Sequence, residues 1–433
     1  MGPYAAFQSR SYRLYILGWF AQLLGTSIQS VAVGWELYQR TGEPLALGLV
    51  GLSQAVPTMA LAIPAGYLAD RYNRVTLCVL SLGGMTITSL ALAWLSLTEG
   101  STTWIYGLLF FDAAAVIAGR PARVALVPQL VPNNVFPNAV MWNTSLSQIG
   151  NVVGPALGGI IVAFYAPAAY FVAAGTSTVF LLLLARLGLQ SGPRRAGAMN
   201  ARTLLLGIEY VWRKRIILNM ITLDLFAVLL GGAVYLLPIY ATDILDVGPT
   251  GFGILRAAPA VGALTMALSL VYLPPMKRAG RTLLAVVAGF GVATIIFGLS
   301  TNMWLSLMML FLTGAFDNVS MVIRQTLLQM LTPDHMRGRV SAVSSVFVGA
   351  SNELGGLESG LVAHWFGPVF SVVSGGIGTI VVVVVMLLRS STLRNFGALH
   401  DARVDEEDED PDDKPAVPLG TSTVKPPAVA ADD

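Results

Sequence analysis

Five carboxylic acids fall inside long apolar segments of this 433-residue chain: Asp112, Asp224, Asp317, Glu353 and Glu358. An ionisable group within hydrocarbon is costly, so each of these acids is a functional candidate by default. A carboxyl group in a cavity of low dielectric can load a proton on one side of a membrane and unload it on the other. The acids therefore suggest proton transfer. The alternative for each is a structural acid neutralised by an arginine.

An internal repeat helps to rank these acids. A gap-free offset of 201 residues places Arg123 on Arg324, and it superimposes the fourth to sixth apolar segments on the tenth to twelfth. Under this offset Glu353 and Glu358 take the places of a valine and a leucine, a change that helix packing does not require. Five residues separate the two glutamates by about 140° around a helix, so they cannot both point the same way. We expect Glu353 to face a cavity and titrate, and Glu358 to serve as a gate or interhelical contact.

The other three acids have weaker positional support. Asp112 and Asp317 remain proton-coupling candidates, with a structural acid as the alternative. Asp224 lies near the inner end of its segment and is expected to pair with Arg213 or Arg215.

Three arginines also lie within apolar segments. Arg120 and Arg123 fall in the inner half of the fourth segment, and Arg324 occupies the matching place in the tenth. They could receive an anionic substrate or neutralise an acid. Alternatively, they could extend to the membrane interface.

Twelve apolar segments must position these residues. Hydrophobic residues make up 55% of the chain and charged residues 12%, against about 25% charged in soluble domains. A segment of about 20 apolar residues spans a bilayer as a helix. The sequence predicts an all-α integral membrane protein with spans near 13–38, 45–69, 75–97, 103–126, 136–164, 168–188, 216–241, 252–273, 282–299, 303–329, 339–363 and 368–388.

The longest internal break divides the spans into six and six. Residues 1–188 and 216–390 are predicted to form two pseudo-symmetric six-helix bundles, an arrangement typical of transporters. The linker at 189–215 carries Leu204, Leu205, Ile208 and Val211 at helical spacing, which predicts an amphipathic helix on the membrane surface. Residues 391–433 are strongly acidic and are predicted to be a disordered cytoplasmic tail.

Positive charge sets the orientation. Of the 26 Lys and Arg residues, 24 fall on or near one side if the amino terminus is cytoplasmic, and the exceptions are Arg40 and Arg256. Because positive charge is retained in the cytoplasm, both termini are predicted to be cytoplasmic.

The turn after the second span carries more charge than a turn needs. Its pattern, Gly66-x-x-x-Asp70-Arg71-x-x-Arg74, resembles the loop 2–3 signature of the major facilitator superfamily. Arg120-Pro121-Ala122-Arg123 and Arg337-Gly338-Arg339-Val340 are similar to a bacterial branch that includes enterobactin and macrolide exporters. The resemblance implies a cytoplasmic gate in which Asp70 holds the inner ends of the two halves together. Arg71 and Arg74 could serve that gate or simply follow the rule that positive charge stays in the cytoplasm.

A second motif bears on the direction of transport. In the fifth span, Gly150, Gly154, Pro155, Gly158 and Gly159 resemble the packing motif of antiporter members of the superfamily. A further glycine of that motif, expected near Met141, is missing. The match favours export.

Other functions lack their residues. No phosphate-binding loop of the type G-x-x-x-x-G-K-[ST] is present, so the chain does not drive transport by its own ATP hydrolysis. Its three histidines are far apart and its single cysteine, Cys78, lies in an apolar run. These features predict no metal, no cofactor and no enzymatic activity.

The residues and the resemblance together favour a secondary active transporter. The leading hypothesis is proton-coupled efflux of a small amphiphilic molecule, of the drug or siderophore class, by alternating access. The alternatives are an uptake symporter or uniporter of the same fold, or a non-transport membrane protein such as an intramembrane enzyme or sensor. The expected partners are a small-molecule substrate, protons and the lipid bilayer, without nucleic acid. The expected form is a monomer in the bacterial cytoplasmic (inner) membrane.

Overall fold

A computed structural model describes residues 2–187, 208–273, 276–394 and 396–397, and within these ranges it contains helices and no strands. The long helices are α1 (Arg10–Thr41), α2 (Pro44–Arg71), α3 (Arg74–Leu97), α4 (Thr102–Leu130), α5 and α6 (the two arms of Phe136–Ala185), α7 (Arg215–Leu230), α8 (Gly248–Tyr272), α9 (Ala279–Leu299), α10 (Met303–Met330), α11 (Asp334–Phe366) and α12 (Pro368–Arg389). The all-α membrane fold predicted from the sequence is confirmed.

Ten helical runs in the described ranges are long and apolar enough to cross a membrane. One of them, Phe136–Ala185, is 50 residues long and breaks at Tyr165, where φ is −164° and ψ is 101°. This break separates α5 from α6 at the predicted boundary. α11 lies outside the ten because Asn352, Glu353 and Glu358 lower its hydropathy, yet its 33 residues are ample for a span.

The seventh span differs from its prediction as one regular helix over 216–241. α7 ends at Leu230, and a 3₁₀ turn follows at Gly232–Leu236. A π-helical turn at Tyr240–Ile244 then ends the span. The adjacent Gly231 and Gly232 are poor helix formers, and Pro238 has no amide hydrogen to donate.

Three apolar cores show how the helices are grouped. We call the end of the molecule where α1 begins and α12 ends the terminal face, and the other end the opposite face. On the terminal side, one core contains only residues between Ala6 and Leu187. A second core contains only residues from 211 onward. The third core lies toward the opposite face and draws on both halves. The two halves are therefore joined near the opposite face and packed separately near the terminal face.

The predicted linker and tail lie mostly outside the described residues. Of the linker, the helical segment at 208–213 is described. Its Val211 is buried in the core of the second half.

Candidate functional site

The two halves approach each other closely through pairs of glycines near the opposite face. A Cβ atom added to Gly360 in α11 would lie 2.5 Å from the Cα of Gly48 in α2. A Cβ atom added to Gly159 in α5 would lie 2.8 Å from the Cα of Gly253 in α8. Only glycine permits these contacts, which close the molecule on this side.

Polar and aromatic contacts reinforce the same closure. The Tyr38 hydroxyl contacts the Asp243 carboxylate across the two halves. The rings of Trp35 and Phe252 stack with their centroids 5.9 Å apart.

On the terminal side the helices enclose two adjoining cavities. The larger measures about 630 Å³ and lies among α1, α4 and α5. The second measures about 280 Å³ and reaches toward the centre, where α2 and α11 complete its wall. Thr26, Val116, Ile117 and Arg120 line both, so the two cavities lie side by side.

Asp112 lines the central cavity and is held by a polar network. Its carboxylate accepts hydrogen bonds from the Thr88 hydroxyl at 2.7 Å and from the Gln29 amide at 3.3 Å. The Ser89 hydroxyl donates to the oxygen of the same amide at 2.6 Å. These bonds join α1, α3 and α4 around one buried acid.

Glu353 lines the same cavity from the other half of the molecule. The Tyr235 hydroxyl, in the 3₁₀ turn after α7, donates to its carboxylate at 2.8 Å. Glu358 accepts a hydrogen bond from Ser359 at 3.3 Å and does not line either cavity. The structure therefore brings Glu353 and Asp112 together around one space.

Arg324 in α10 forms an ion pair with Asp224 in α7. Its guanidinium group also lies 3.9 Å from the Asp317 carboxylate. The expectation that Asp224 pairs with Arg213 or Arg215 is wrong, because Asp224 pairs with Arg324. Arg213 instead contacts Glu209 at the surface. Asp224 and Asp317 thus cluster around Arg324, away from Asp112.

The arginines of α4 lack such a partner. Arg123 is buried and donates to the Ser81 hydroxyl at 3.3 Å and to the Val116 carbonyl oxygen at 2.9 Å. Arg120 is exposed to the cavities. Neither arginine forms an ion pair within the described residues.

The charged turn between α2 and α3 lies on the terminal face. Asn73 caps α3, and its side chain accepts from the Val75 amide at 2.9 Å. Arg71 donates to the Tyr67 hydroxyl at 2.6 Å, and Arg74 donates to the Ala125 carbonyl oxygen at 3.2 Å. Asp70, one turn after Gly66, has no ion-pair partner among the described residues. Neither the hydrogen bonds of Arg71 and Arg74 nor the cap of Asn73 reaches the other half of the molecule.

The glycine motif of α5 divides between two neighbours. Gly150, Gly154 and Gly158 face α1 within the same half, whereas Gly159 faces α8 of the other half. Pro155 also belongs to the second contact, since its carbonyl oxygen would lie 2.7 Å from a Cβ atom added to Gly253. The motif therefore serves packing both within and between the halves.

Several site residues escaped the sequence analysis. Gln29, Thr88 and Tyr235 hold the two cavity acids, and Arg256 donates to the Ser30 hydroxyl across the halves at 2.8 Å. Arg256 could have been found from the sequence, since it is one of the two basic residues that do not fall on the predicted cytoplasmic side. Gln29 could also have been found, since it is a polar residue in an apolar span.

Comparison with known proteins identifies the family. The profile of the transmembrane secretion effectors of the major facilitator superfamily matches residues 1–413. The enterobactin exporter EntS of Escherichia coli (strain K12) is 27% identical over 390 residues, covering 89% of this chain and 93% of that exporter. The exporter of the same name from Shigella boydii serotype 18 is equally similar.

Solved structures share the fold. A bacterial homologue of the human lysosomal transporter Spinster, inward-facing and occupied, superimposes with a TM-score of 0.71 at 16% identity, covering 92% of this chain and 99% of that one. The nucleoside transporter NupG superimposes with a TM-score of 0.69 at 12% identity, covering 88% and 98%. With the fold, the cavity and the sequence relatives in agreement, the chain belongs to the transmembrane secretion effector family of the major facilitator superfamily and is a secondary transporter of efflux type.

Proposed function

We propose that this transporter is a proton-coupled exporter of small amphiphilic molecules, with Glu353 as its principal proton carrier. The observation that carries the proposal is the cavity shared by Glu353 and Asp112, each supplied by a different half of the molecule. A carboxylate between two halves that rock against each other can exchange protons with each side in turn. The chain catalyses no chemical reaction of its own in this scheme.

Alternating access follows from the way the halves are joined. In the state described here the opposite face is closed by α2 against α11 and by α5 against α8. The rule that positive charge stays inside supports a cytoplasmic terminal face, with both termini in the cytoplasm of a bacterial cell and the cavity open inward. Outward opening requires the glycine contacts to separate and the terminal face to close, with Asp70 as the acid of that second closure.

The cargo is proposed from the cavity walls and from the relatives. Trp19, Val140 and other apolar groups share the larger cavity with Asn143 and Gln148, a mixture suited to an amphiphile. The name of the enterobactin exporter EntS supports a siderophore-class substrate, and a drug-like molecule is the second candidate. We propose that the chain acts as a monomer, since each half supplies one acid to a single central cavity.

The test is transport in proteoliposomes under an imposed pH gradient. We expect wild-type protein to move substrate against the direction of proton flow and Glu353→Gln to lose at least nine-tenths of the gradient-driven rate, since the amide cannot carry a proton. Glu209→Gln, which removes a surface acid beside Arg213, is the matched control and should transport normally. Full gradient-driven transport by Glu353→Gln would rule out Glu353 as the carrier. Substrate movement in the same direction as protons would favour the uptake symporter.

A further inference from the structure

We propose that the larger cavity of the amino-terminal half is a binding site for the anionic headgroup of the transported amphiphile, held by Arg123 and Arg120. This inference rests on the proposed function and adds the charge of the cargo to it. It is supported by an asymmetry between two cavities that the internal repeat relates to each other.

The second half contains the repeat equivalent of the larger cavity. Adding 201 to the residue numbers of the amino-terminal cavity reproduces seven of the eleven residues that line a small cavity among α7, α10 and α11. The matched pairs include Trp19 with Met220, Leu23 with Asp224, Arg123 with Arg324, and Asn143 with Ser344. The two cavities therefore occupy equivalent places in the two halves.

The charges around the two equivalent arginines are opposite. In the second half Arg324 is accompanied by Asp224 and Asp317, a net charge of −1. The equivalent positions of the first half hold Leu23 and Val116 in place of the two acids, and Arg120 in place of a methionine. With Arg123 retained, these four positions of the first half carry a net charge of +2.

Their volumes differ in the same sense. The cavity with the neutralised arginine measures about 40 Å³, and the cavity with the unpaired arginines measures about 630 Å³. In the second half the ion pair occupies the place that is open in the first half. A carboxylate from outside the protein could lie beside Arg123 in the place that corresponds to Asp224 beside Arg324.

Arg123 is poised for such a ligand. Within the described residues it uses only Ser81 and the Val116 carbonyl as hydrogen-bond acceptors, whereas a guanidinium group has five N–H donors. A buried cation without a counter-charge is costly, and a bidentate carboxylate would satisfy its charge and two of its remaining donors. Asp112, the acid of the adjoining cavity, is already held by Thr88 and Gln29.

The surrounding side chains suit an amphiphile rather than a small inorganic anion. Gln22, Asn143 and Gln148 supply further polar groups, and Trp19 and Phe136 supply apolar walls. A negatively charged lipid headgroup offers the same chemistry. We commit to the free amphiphile because this cavity adjoins the central cavity of Glu353.

The experiment compares a fluorescent acid with its neutral ester. Dansylglycine and its methyl ester are titrated against the full-length protein in an uncharged detergent, with and without added phosphatidylglycerol. We expect the acid to bind more tightly than the ester. Arg123→Gln should weaken binding of the acid by about 10- to 100-fold, the effect of losing one charge-assisted interaction, and leave the ester unchanged. Arg389→Gln, which removes an exposed arginine at the end of α12, should alter neither.

A second variant guards against a folding defect. Leu23→Asp places a carboxylate at the repeat position of Asp224, where it can pair with Arg123. We expect this variant to remain monodisperse and to lose binding of the acid as Arg123→Gln does. Equal binding of acid and ester by wild type, or unchanged binding of the acid by Leu23→Asp, would overturn the proposal. Displacement of the acid by phosphatidylglycerol in wild type alone would assign the site to a lipid instead.

The outcome is separable from that of the proposed function. If binding of the acid depends on Arg123 while no pH gradient drives any transport, the anion site stands and proton coupling fails. If gradient-driven transport is intact and binding is independent of Arg123, the anion site fails and the proposed function stands.

Discussion

At the scale of single residues, the arginines of α4 and α10 show how one repeated position acquires two environments. Arg324 is enclosed by acids, whereas Arg123 has only a hydroxyl and a carbonyl oxygen. The difference is visible in the sequence, because the offset of 201 residues places Leu23 and Val116 at the positions of Asp224 and Asp317. Sequence alone did not show that these positions surround the arginine, because α1 meets α4 only through tertiary packing.

The ion pair of Arg324 with Asp224 should matter for stability. Both side chains are largely buried, with exposed fractions of 15% and 8%. Asp224→Asn leaves a buried cation with only the more distant Asp317, and we expect it to lower the free energy of unfolding by about 3 kcal/mol. Thermal unfolding in detergent measures the change.

A surface pair provides the control for that loss. Glu209→Gln breaks the exposed contact with Arg213 and should cost less than about 1 kcal/mol, because water screens the pair. A loss for Asp224→Asn no larger than that of the control would show that the buried pair is structurally dispensable.

The predictability of the acids also differs residue by residue. Glu353 was placed in a cavity from its position in an otherwise apolar, repeat-related helix, and it does line the central cavity. Asp224 was assigned the wrong partner because sequence proximity favoured Arg213 and Arg215. Tyr235 was missed because a tyrosine within a span carries no signal until the break after α7 turns it toward α11.

At the scale of elements, a helix end that coincides with a change in hydropathy can be predicted from the sequence. A break inside continuous apolar sequence cannot. The break at Tyr165 lies where proline and small residues interrupt the apolar run, so α5 and α6 were separated correctly. The break after Leu230 sits within continuous apolar sequence, where hydropathy carries no signal. Its position is set by two glycines and by packing against α11 and α12.

The glycines of α5 should separate conformational effects from stability effects. Gly159→Ala places a methyl group against α8 and should destabilise the closed opposite face by about 1–3 kcal/mol. The proportion of molecules open at the terminal face then falls. A cysteine introduced by Thr58→Cys, in the central cavity, should react several-fold more slowly with an impermeant maleimide added from the terminal side.

Gly154→Ala is the matched control, because its methyl group would meet Ser27 in α1 of the same half. It should lower thermal stability without slowing the reaction of the cysteine. The native Cys78 is fully buried and contributes little background. Equal labelling rates in the two variants would contradict a role for Gly159 in the closed face.

At the scale of the whole molecule, the distribution of cores favours a rocking motion. One core joins the halves toward the opposite face, while each half keeps a separate core near the terminal face. Each half can therefore move as a unit about the central cavity. The sequence predicted twelve spans and two halves, but not which side is closed, because closure depends on contacts between the halves that the pattern of spans does not specify.

Asp70 should bias this motion in the direction opposite to Gly159. It has no ion-pair partner among the described residues in the present state, so its proposed contact belongs to the state that is closed at the terminal face. Asp70→Asn should stabilise the present state relative to the state that is closed at the terminal face. The cysteine from Thr58→Cys should therefore react faster with the maleimide, and transport should be slower. Thermal stability should change by less than about 0.5 kcal/mol, as for an ordinary surface substitution.

Combining the two changes gives the sharpest test of a single two-state equilibrium. If Asp70→Asn and Gly159→Ala act on distant closures of the same motion, their opposite effects on the free-energy difference between the two states add, and the double variant should label at a rate between those of the two single variants. Glu209→Gln should leave labelling unchanged in every background. Slower labelling in Asp70→Asn would mean that this acid holds the terminal face open, since removing it would then favour closure.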